Sequence, residues 1–392
     1  MTGTPPTGSA GGAARPGLVH GLGKDLVPPD WPPLTSGEVR AVLASYSGGS
    51  TADITWHSPR PWSAAGVARW PGSAVFIKRH HVRVRSAGQL AAEHAFIGHL
   101  RDRGIPVPAV LRTRDGATTV GRGDFCYEVH ELAGGRDVYR DAMSWTPFTS
   151  LEHARAAGAA LARLHRAAAS FRRSARPPGV LLSGCDIVLA PDPLHRLSRL
   201  LSERPGLAGY LTARSWRADL ARHVLPAIRQ AGPLLAGLPR QWGHGDWHPS
   251  NLTWTSAGAR ADVAGVFDFG LANRTLAVHD LATALERSTV SWLDLAESGQ
   301  AAADLAAVDA LLDGYQAVRP LSPGEAAALA GVFPVVHVEY ALAEIEYFHH
   351  VVNAPGHADL AYHGYLLGHA RWFGGPDGRR VLDHLRRRAS WT

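Results

Sequence analysis

His244-Gly245-Asp246-Trp247-His248-Pro249-Ser250-Asn251, followed at a short interval by Val266-Phe267-Asp268-Phe269-Gly270, decides the fold of this 392-residue chain. Asn251–Trp254 and Val263–Phe267 read as strands, joined by Thr255–Asp262 with Gly258 inside it. An antiparallel hairpin centred near Ala259 puts Asn251 roughly opposite Asp268, because cross-strand partners share a constant index sum. A carboxamide oxygen and a carboxylate then meet at one end of one hairpin. Magnesium favours such a set: few protein oxygens, with phosphates and water completing the octahedron. Asp246 lies five residues before Asn251, on the loop entering the hairpin. It can face the metal site without ligating it, as a general base should.

Working outward, residues 36–132 read as a sheet with one crossing helix. Ala41–Tyr46 and Ala52–His57 are expected strands flanking Ser47-Gly48-Gly49-Ser50. Ala74–Arg79 is a third, reached through a Pro/Trp-rich stretch, Ser58–Gly72, that matches no simple hairpin. Thr118–Val120 and Phe125–Glu131 make five. Between them Ser86 and Gln89 form a capping-box pattern, and Gly104 and Pro106 end the helix. On that helix Leu90, Phe96, Ile97 and Leu100 fall within about 60° of Glu93. A carboxylate in an apolar stripe needs a partner. Lys78, at the end of the preceding strand, is the expected one. Only Lys24 and Lys78 are lysines among 40 basic residues. A lysine kept in so arginine-rich a chain marks a place that needs a compact ammonium.

The second half is mostly helical: Leu151–Ser170, Ser215–Gln230, Leu281–Trp292, Ala301–Val318, Gly324–Ala330 and Val335–Val351. Residues 1–35, rich in Pro and Gly, are expected to form a disordered leader.

Composition excludes several classes. A 45% hydrophobic fraction supports a large core. Two distant cysteines, Cys126 and Cys185, exclude a disulfide scaffold and a four-thiolate metal centre and suit a reducing cytoplasm. The net charge of +6 comes from arginines spread among acids, which argues against nucleic acid as a partner. No signal-like stretch and no run of about 20 apolar residues is seen, so a cytoplasmic protein without a membrane partner is expected.

These motifs resemble those of the aminoglycoside phosphotransferase and choline kinase superfamily, a branch of the protein-kinase-like fold. The resemblance rests on the strand lysine, the helix glutamate, the H-G-D-x-x-x-x-N loop and the D-F-G block. It extends to Leu161-Ala162-Arg163-Leu164-His165, Ile105-Pro106-Val107-Pro108 and His279-Asp280-Leu281-Ala282. It covers roughly residues 40–350 and implies a two-lobed α+β fold. The N-lobe (36–132) is a small antiparallel sheet that binds nucleotide, and the C-lobe (133–392) is helical and binds substrate.

The resemblance implies Asp246 as catalytic base, Asn251 and Asp268 as Mg2+ ligands, and Lys78 with Glu93 at the α/β-phosphates. Ser47-Gly48-Gly49-Ser50 stands as a short substitute for a G-x-G-x-x-G loop. The connection carrying His130, Glu131 and Leu132 is expected to meet adenine. The implied reaction moves the γ-phosphoryl group of ATP or GTP to a hydroxyl of an aminoglycoside-like, amino-alcohol or sugar acceptor, in a monomer or homodimer. Val335–Val351 carries Glu339, Tyr340, Glu344, Glu346, Tyr347 and His349, which suit a cationic or sugar-like acceptor if they do not form a solvated face. Asp280 either caps a helix starting at Leu281 or braces the catalytic loop. Two competing readings are a metal-dependent hydrolase, since His244, Asp246 and His248 alternate like zinc ligands, and a kinase-shaped binding protein without catalysis.

Overall fold

A computed structural model describes residues 18–20, 23–47, 53–177, 179–182, 184–258 and 261–389. At its N-terminal end β1 (Val19–His20) pairs with β2 (Leu26–Val27). Lys24 then binds Asp294 and Glu297 at 2.7 and 2.8 Å. Trp31 Nε1 donates to the Tyr347 hydroxyl at 3.0 Å, and that hydroxyl donates to Asp30 at 2.8 Å. The expectation of a disordered leader is therefore corrected for residues 18–20 and 23–35. Their few apolar and charged groups find partners across the second lobe, which local composition does not report.

Helix α1 (Ser36–Leu43) corrects the expected strand Ala41–Tyr46. Thr35 and Glu38 form a reciprocal capping box. Val39, Val42, Leu43 and Tyr46 recur at helical spacing and are buried against the sheet. The sheet is antiparallel and five-stranded, in the order β3 (Asp53–His57), β4 (Ala64–Trp70), β5 (Ser73–His81), β7 (Phe125–Glu131), β6 (Val120–Arg122). The number of strands matches the expectation, but β4 replaces 41–46. Its small residues hid it: a Cβ at Gly66 would lie 2.6 Å from Trp56 O, where β3 bulges against it. Helix α2 (Ala87–Arg101) starts at the expected Ser86–Gln89 capping box.

The second lobe holds α3 (Leu151–Ala168), then α4–α7 (Pro193–Glu203, Pro205–Thr212, Trp216–His223, Leu225–Leu235). Two short ribbons follow. Strand β8 (Arg240–Gly243) pairs with β11 (Asn273–Leu276), and β9 (Leu252–Trp254) with β10 (Val263–Val266). Helices α8 (Ala277–Thr289), α9 (Trp292–Ser298), α10 (Leu305–Val318), α11 (Pro323–Val332) and α12 (Val338–Glu346) complete the core, with further helical segments to Ala389. Helices α3 and α10 pack backbone to backbone: a Cβ on Gly158 or Gly314 would sit 1.9 Å from a carbonyl oxygen of the other helix. The run Pro323–Val351 is long and apolar enough to cross a membrane by composition, and it is mostly buried inside the lobe. The solvated-face reading of Val335–Val351 is thereby overturned.

Candidate active site

The hairpin forms as its sequence suggests. Leu252 faces Val266, and Phe267 N donates to Asn251 O at 3.1 Å, so Asp268 lies one residue beyond Asn251. The turn after α2 hooks onto this hairpin, Val266 N donating to Pro106 O at 2.8 Å. That contact gives the Ile105-Pro106-Val107-Pro108 motif a physical role: it ties the glutamate helix to the second lobe.

Asp268 is held in the left-handed region, at φ 59°. Such strain in a non-glycine residue persists only where surroundings impose it, and it gathers at functional sites. Lys78 Nζ donates to Asp268 Oδ1 at 3.0 Å. Burial raises the Asp268 pKa, but the ammonium outweighs it and the carboxyl ends below its usual range. Burial would also lower the Lys78 pKa, and the carboxylates of Asp268, Glu128 and Glu93 reverse that too.

Asn251 spends its NH2 on Asp246, donating to the backbone oxygen at 2.9 Å and to Oδ2 at 3.2 Å. Its carboxamide oxygen remains as the acceptor end. The structure thus brings Asp246, Asn251, Asp268 and Lys78 to one place.

The expected Lys78–Glu93 pair does not form among the described residues. Glu93 is buried as its stripe requires, and its partner is Arg176, 3.5 Å away. Arg176 also donates to Gly270 O and Ala272 O at 3.1 Å, linking α2 to the segment after Asp268. Arg176 sits in a loop with no periodic signal, so the sequence offered only Lys78. Behind Lys78, Glu128 accepts from His80 at 2.9 Å and His94 at 2.6 Å, a buried cluster that no motif announces.

Asp246 carries the site's most unusual contact. Arg287 Nη1 donates to its Oδ1 and, at 3.2 Å, to Gly245 O. His248 Nε2 lies 3.5 Å from the same carboxylate. Burial works to raise the Asp246 pKa, and Arg287 with His248 drives it far below the carboxylate range. Trp145, itself at φ 63°, and Tyr340 each stack 4.9 Å from the guanidinium. Sequence reading missed Arg287, although it lies seven residues after Asp280 and so on the same face of α8.

Asp280 does not cap a helix starting at Leu281, since α8 begins at Ala277. It braces the loop instead. Its Oδ2 accepts from His244 N at 2.7 Å and its Oδ1 from Gly245 N at 2.8 Å, while His165 Nε2 lies 2.9 Å away. Gly245 is required there: it has φ 77°, and a Cβ would meet Leu271 O at 2.5 Å. Burial pushes the Asp280 pKa up, and the His165 bond and charge bring it down to about 2. A depressed carboxyl stabilises the fold above about pH 4 and loses that contribution as pH falls toward 2, worth about 2 kcal/mol. Asp280→Asn is therefore expected to lower unfolding free energy at pH 7 by at least about that amount, with the gap narrowing below pH 4. Urea unfolding at both pH values checks it. A gap that ignores pH would mean the charge is not what braces the loop.

His244 donates from Nε2 to Phe267 O at 3.0 Å and accepts Asp246 N on Nδ1 at 3.2 Å, so it keeps no lone pair for zinc. His248 Nδ1 bonds Ser250 at 2.9 Å. The alternating ligand pattern behind the hydrolase reading thus does not converge.

Of the remaining site expectations, Gly48, Gly49 and Ser50 lie outside the described residues. Ser47 is exposed in the turn after α1 and does not line the cleft beside Asp246. The connection between β3 and β4 occupies that wall instead, through Arg60 and Trp62. His130 Nε2 is 3.1 Å from Glu128. Glu131 N is committed to Ala109 O at 2.9 Å and its carboxylate to Arg101 at 3.2 Å, while Leu132 is exposed. On the long helical run, Glu339 accepts from Ile187 N at 2.6 Å and Glu346 pairs with Arg204. Both are structural, as is Tyr347 beneath Trp31. His349 packs edge-on against Tyr210. Tyr340 and Glu344 alone of the six line the cleft.

The sequence profile of the phosphotransferase enzyme family matches residues 60–321, about two thirds of the chain. The chain belongs to this phosphotransferase family. An uncharacterized protein of Deinococcus radiodurans is 31% identical over 252 residues, covering 62% of this chain and 63% of that protein. The chain thus spans somewhat less than two thirds of that relative's length. A homoserine kinase of Gluconacetobacter diazotrophicus is 26% identical over 303 residues, 76% of this chain and 81% of its own. Among solved structures, an aminoglycoside phosphotransferase from Alicyclobacillus acidocaldarius superposes with a TM-score of 0.52 at 20% identity, covering 92% of this chain and 98% of that one. A microcompartment-associated aminopropanol kinase gives 0.54 at 19% identity, covering 86% and 97%. The phosphotransferase chain shares their two-lobed, protein-kinase-like α+β fold, as its motifs suggested.

Proposed function

We propose that this phosphotransferase is a small-molecule kinase that moves the γ-phosphoryl group of ATP to a hydroxyl of an amino-alcohol acceptor. One observation carries the reading. One cleft is lined together by Asp246, Asn251 and Asp268 and by Trp62, Trp145, Tyr340 and Glu344.

The donor set of an ionised carboxylate and a carboxamide oxygen fits Mg2+, a hard cation. Asp268 and Asn251 would hold it, and it would neutralise phosphate charge. Lys78 lies beside Asp268, within reach of the same phosphates. Asp246, pinned by Arg287 and Asn251, orients the acceptor hydroxyl. Its depressed proton affinity makes it an aligning anion first and a proton acceptor late in the transfer, as a loose transition state requires.

Glu344, in the same lining, bears on the acceptor class. Burial pushes Glu344 up to about 8, so near neutral pH it holds a proton that an entering ammonium would displace, leaving an ion pair. The homoserine kinase relatives are named for a hydroxyl compound that carries an ammonium, which supports this choice.

A coupled ADP-release assay with Mg2+ and ATP or GTP tests it across homoserine, aminopropanol, ethanolamine, aminoglycosides and uncharged polyols. Amino alcohols are expected to give kcat/KM at least tenfold above polyols. Preference for polyols would sink the acceptor assignment. Nucleotide binding with no acceptor-dependent ADP release would favour the non-catalytic reading.

A further inference from the structure

We propose that Arg60 forms a binding site for the terminal phosphoryl group of the nucleotide, supplied by the connection between β3 and β4. This inference rests on the kinase reading above. Ser58-Pro59-Arg60-Pro61-Trp62-Ser63 joins β3 to β4, and β4 pairs directly with β5, the strand that bears Lys78. It contains no glycine, and two of its six residues are prolines, which have no N–H to offer. A backbone cradle of the glycine-rich kind cannot form there. What the segment offers the cleft is a guanidinium on a stiffened turn.

The side chain is anchored by neutral groups. Arg60 Nη1 donates to His20 Nδ1 at 2.9 Å and to Ser144 Oγ at 2.8 Å, and Nη2 donates to Ala142 O at 3.1 Å. Burial, with the nearby Arg60 charge, holds His20 down to about 4, so it is an uncharged acceptor near neutral pH. Among the described residues no carboxylate forms an ion pair with Arg60. Asp137, Asp268 and Asp246 act on it only at longer range. Among the described residues these bonds use three of its five N–H donors, which leaves two for a ligand. A fixed cation with no direct ion pair among the described residues and with spare donors, lining the cleft that holds Asp246 and Asp268, is a site for an anion. A guanidinium matches phosphate oxygens in pairs.

In the transfer, the acceptor oxygen forms its bond to Pγ, the bond from Pγ to the ADP oxygen breaks, and the hydroxyl proton leaves through Asp246. Charge spreads over the three equatorial oxygens meanwhile, and Arg60 stabilises it there.

Arg60→Met keeps length and loses charge, and Arg60→Lys keeps charge and loses the fork. Calorimetry with Mg2+ compares ADP against a non-hydrolysable ATP analogue, and single-turnover ATP assays follow once an acceptor is in hand. Arg60→Met is expected to bind ADP within threefold of wild type, to bind the ATP analogue at least tenfold more weakly, and to lose roughly 10³-fold in transfer rate. Arg60→Lys should fall between. Equal losses for ADP and the analogue would mean that Arg60 only holds the loop, and unchanged analogue binding would overturn the proposal outright. Wild-type protein that binds no nucleotide would overturn the kinase reading itself, and this inference with it.

Discussion

Asp246→Asn is expected to keep the fold and Mg2+–nucleotide binding while slowing phosphoryl transfer by 10²–10⁴-fold, roughly 3–5 kcal/mol in the barrier. Asparagine keeps one oxygen to accept from Arg287, and the Asn251 NH2 group keeps its bond to the backbone oxygen of residue 246, so the loop holds its shape though the Asn251 bond to the side chain is lost. What vanishes is the negative charge that aligns the hydroxyl and ends as its proton acceptor. Arg287 is then left buried without a counter-charge, and a loss of about 3 kcal/mol in stability should accompany the kinetic defect. Because Arg287 holds the Asp246 carboxyl so far down, wild-type turnover should show no acid limb from this group between pH 5 and 8. Single-turnover rates of the two forms at saturating nucleotide, with a thermal melt alongside, measure both effects. A variant within threefold of wild type in rate would remove Asp246 from the mechanism.

Asp268→Ala should abolish the Mg2+ dependence of nucleotide binding, with transfer slowed at least 10²-fold because a cation at this position stabilises several kcal/mol of developing charge. The substitution also releases Lys78 from its 3.0 Å partner, so metal-free nucleotide could bind more tightly than in wild type. Total affinity is therefore the wrong readout, and the ratio of affinities with and without Mg2+ is the right one. Backbone strain complicates alanine, which tolerates φ 59° poorly. Asparagine accepts that conformation more readily, so Asp268→Asn separates loss of charge from loss of backbone geometry. If the alanine variant keeps the wild-type ratio, the metal site lies elsewhere.

The parts of this architecture visible in the sequence are those encoded by neighbours along the chain. The Ser86–Gln89 capping box, the hairpin that brings Asn251 beside Asp268, and burial of Glu93 all follow from spacing and period alone. Helix α1 was equally encoded, but a short run of Val, Leu and Tyr reads as strand unless Val39 is counted with Val42, Leu43 and Tyr46. Strand β4 escaped because alanine and glycine carry no alternation. The partners that set chemistry were beyond reach for a different reason. Arg287 reaches Asp246 across 41 positions and Arg176 reaches Glu93 across about twice that gap, and nothing in a single chain marks such pairs. Choosing Tyr340 and Glu344 over Glu339 and Glu346 needed the position of every helix around them.

Residues 18–20 and 23–31 border the cleft. His20 and Gly23 form part of its lining, Lys24 ties the segment to α9, and Trp31 rests on Tyr347. Shortening the chain to Ser36, a natural choice for a tail that looks unstructured, would remove His20 and Gly23 from the lining and open that side of the cleft to bulk water. Water is the commonest rival to any alcohol as a nucleophile. The cost of the missing thirty-five residues would then show less in melting temperature than in futile hydrolysis, with nucleotide consumed and no acceptor modified.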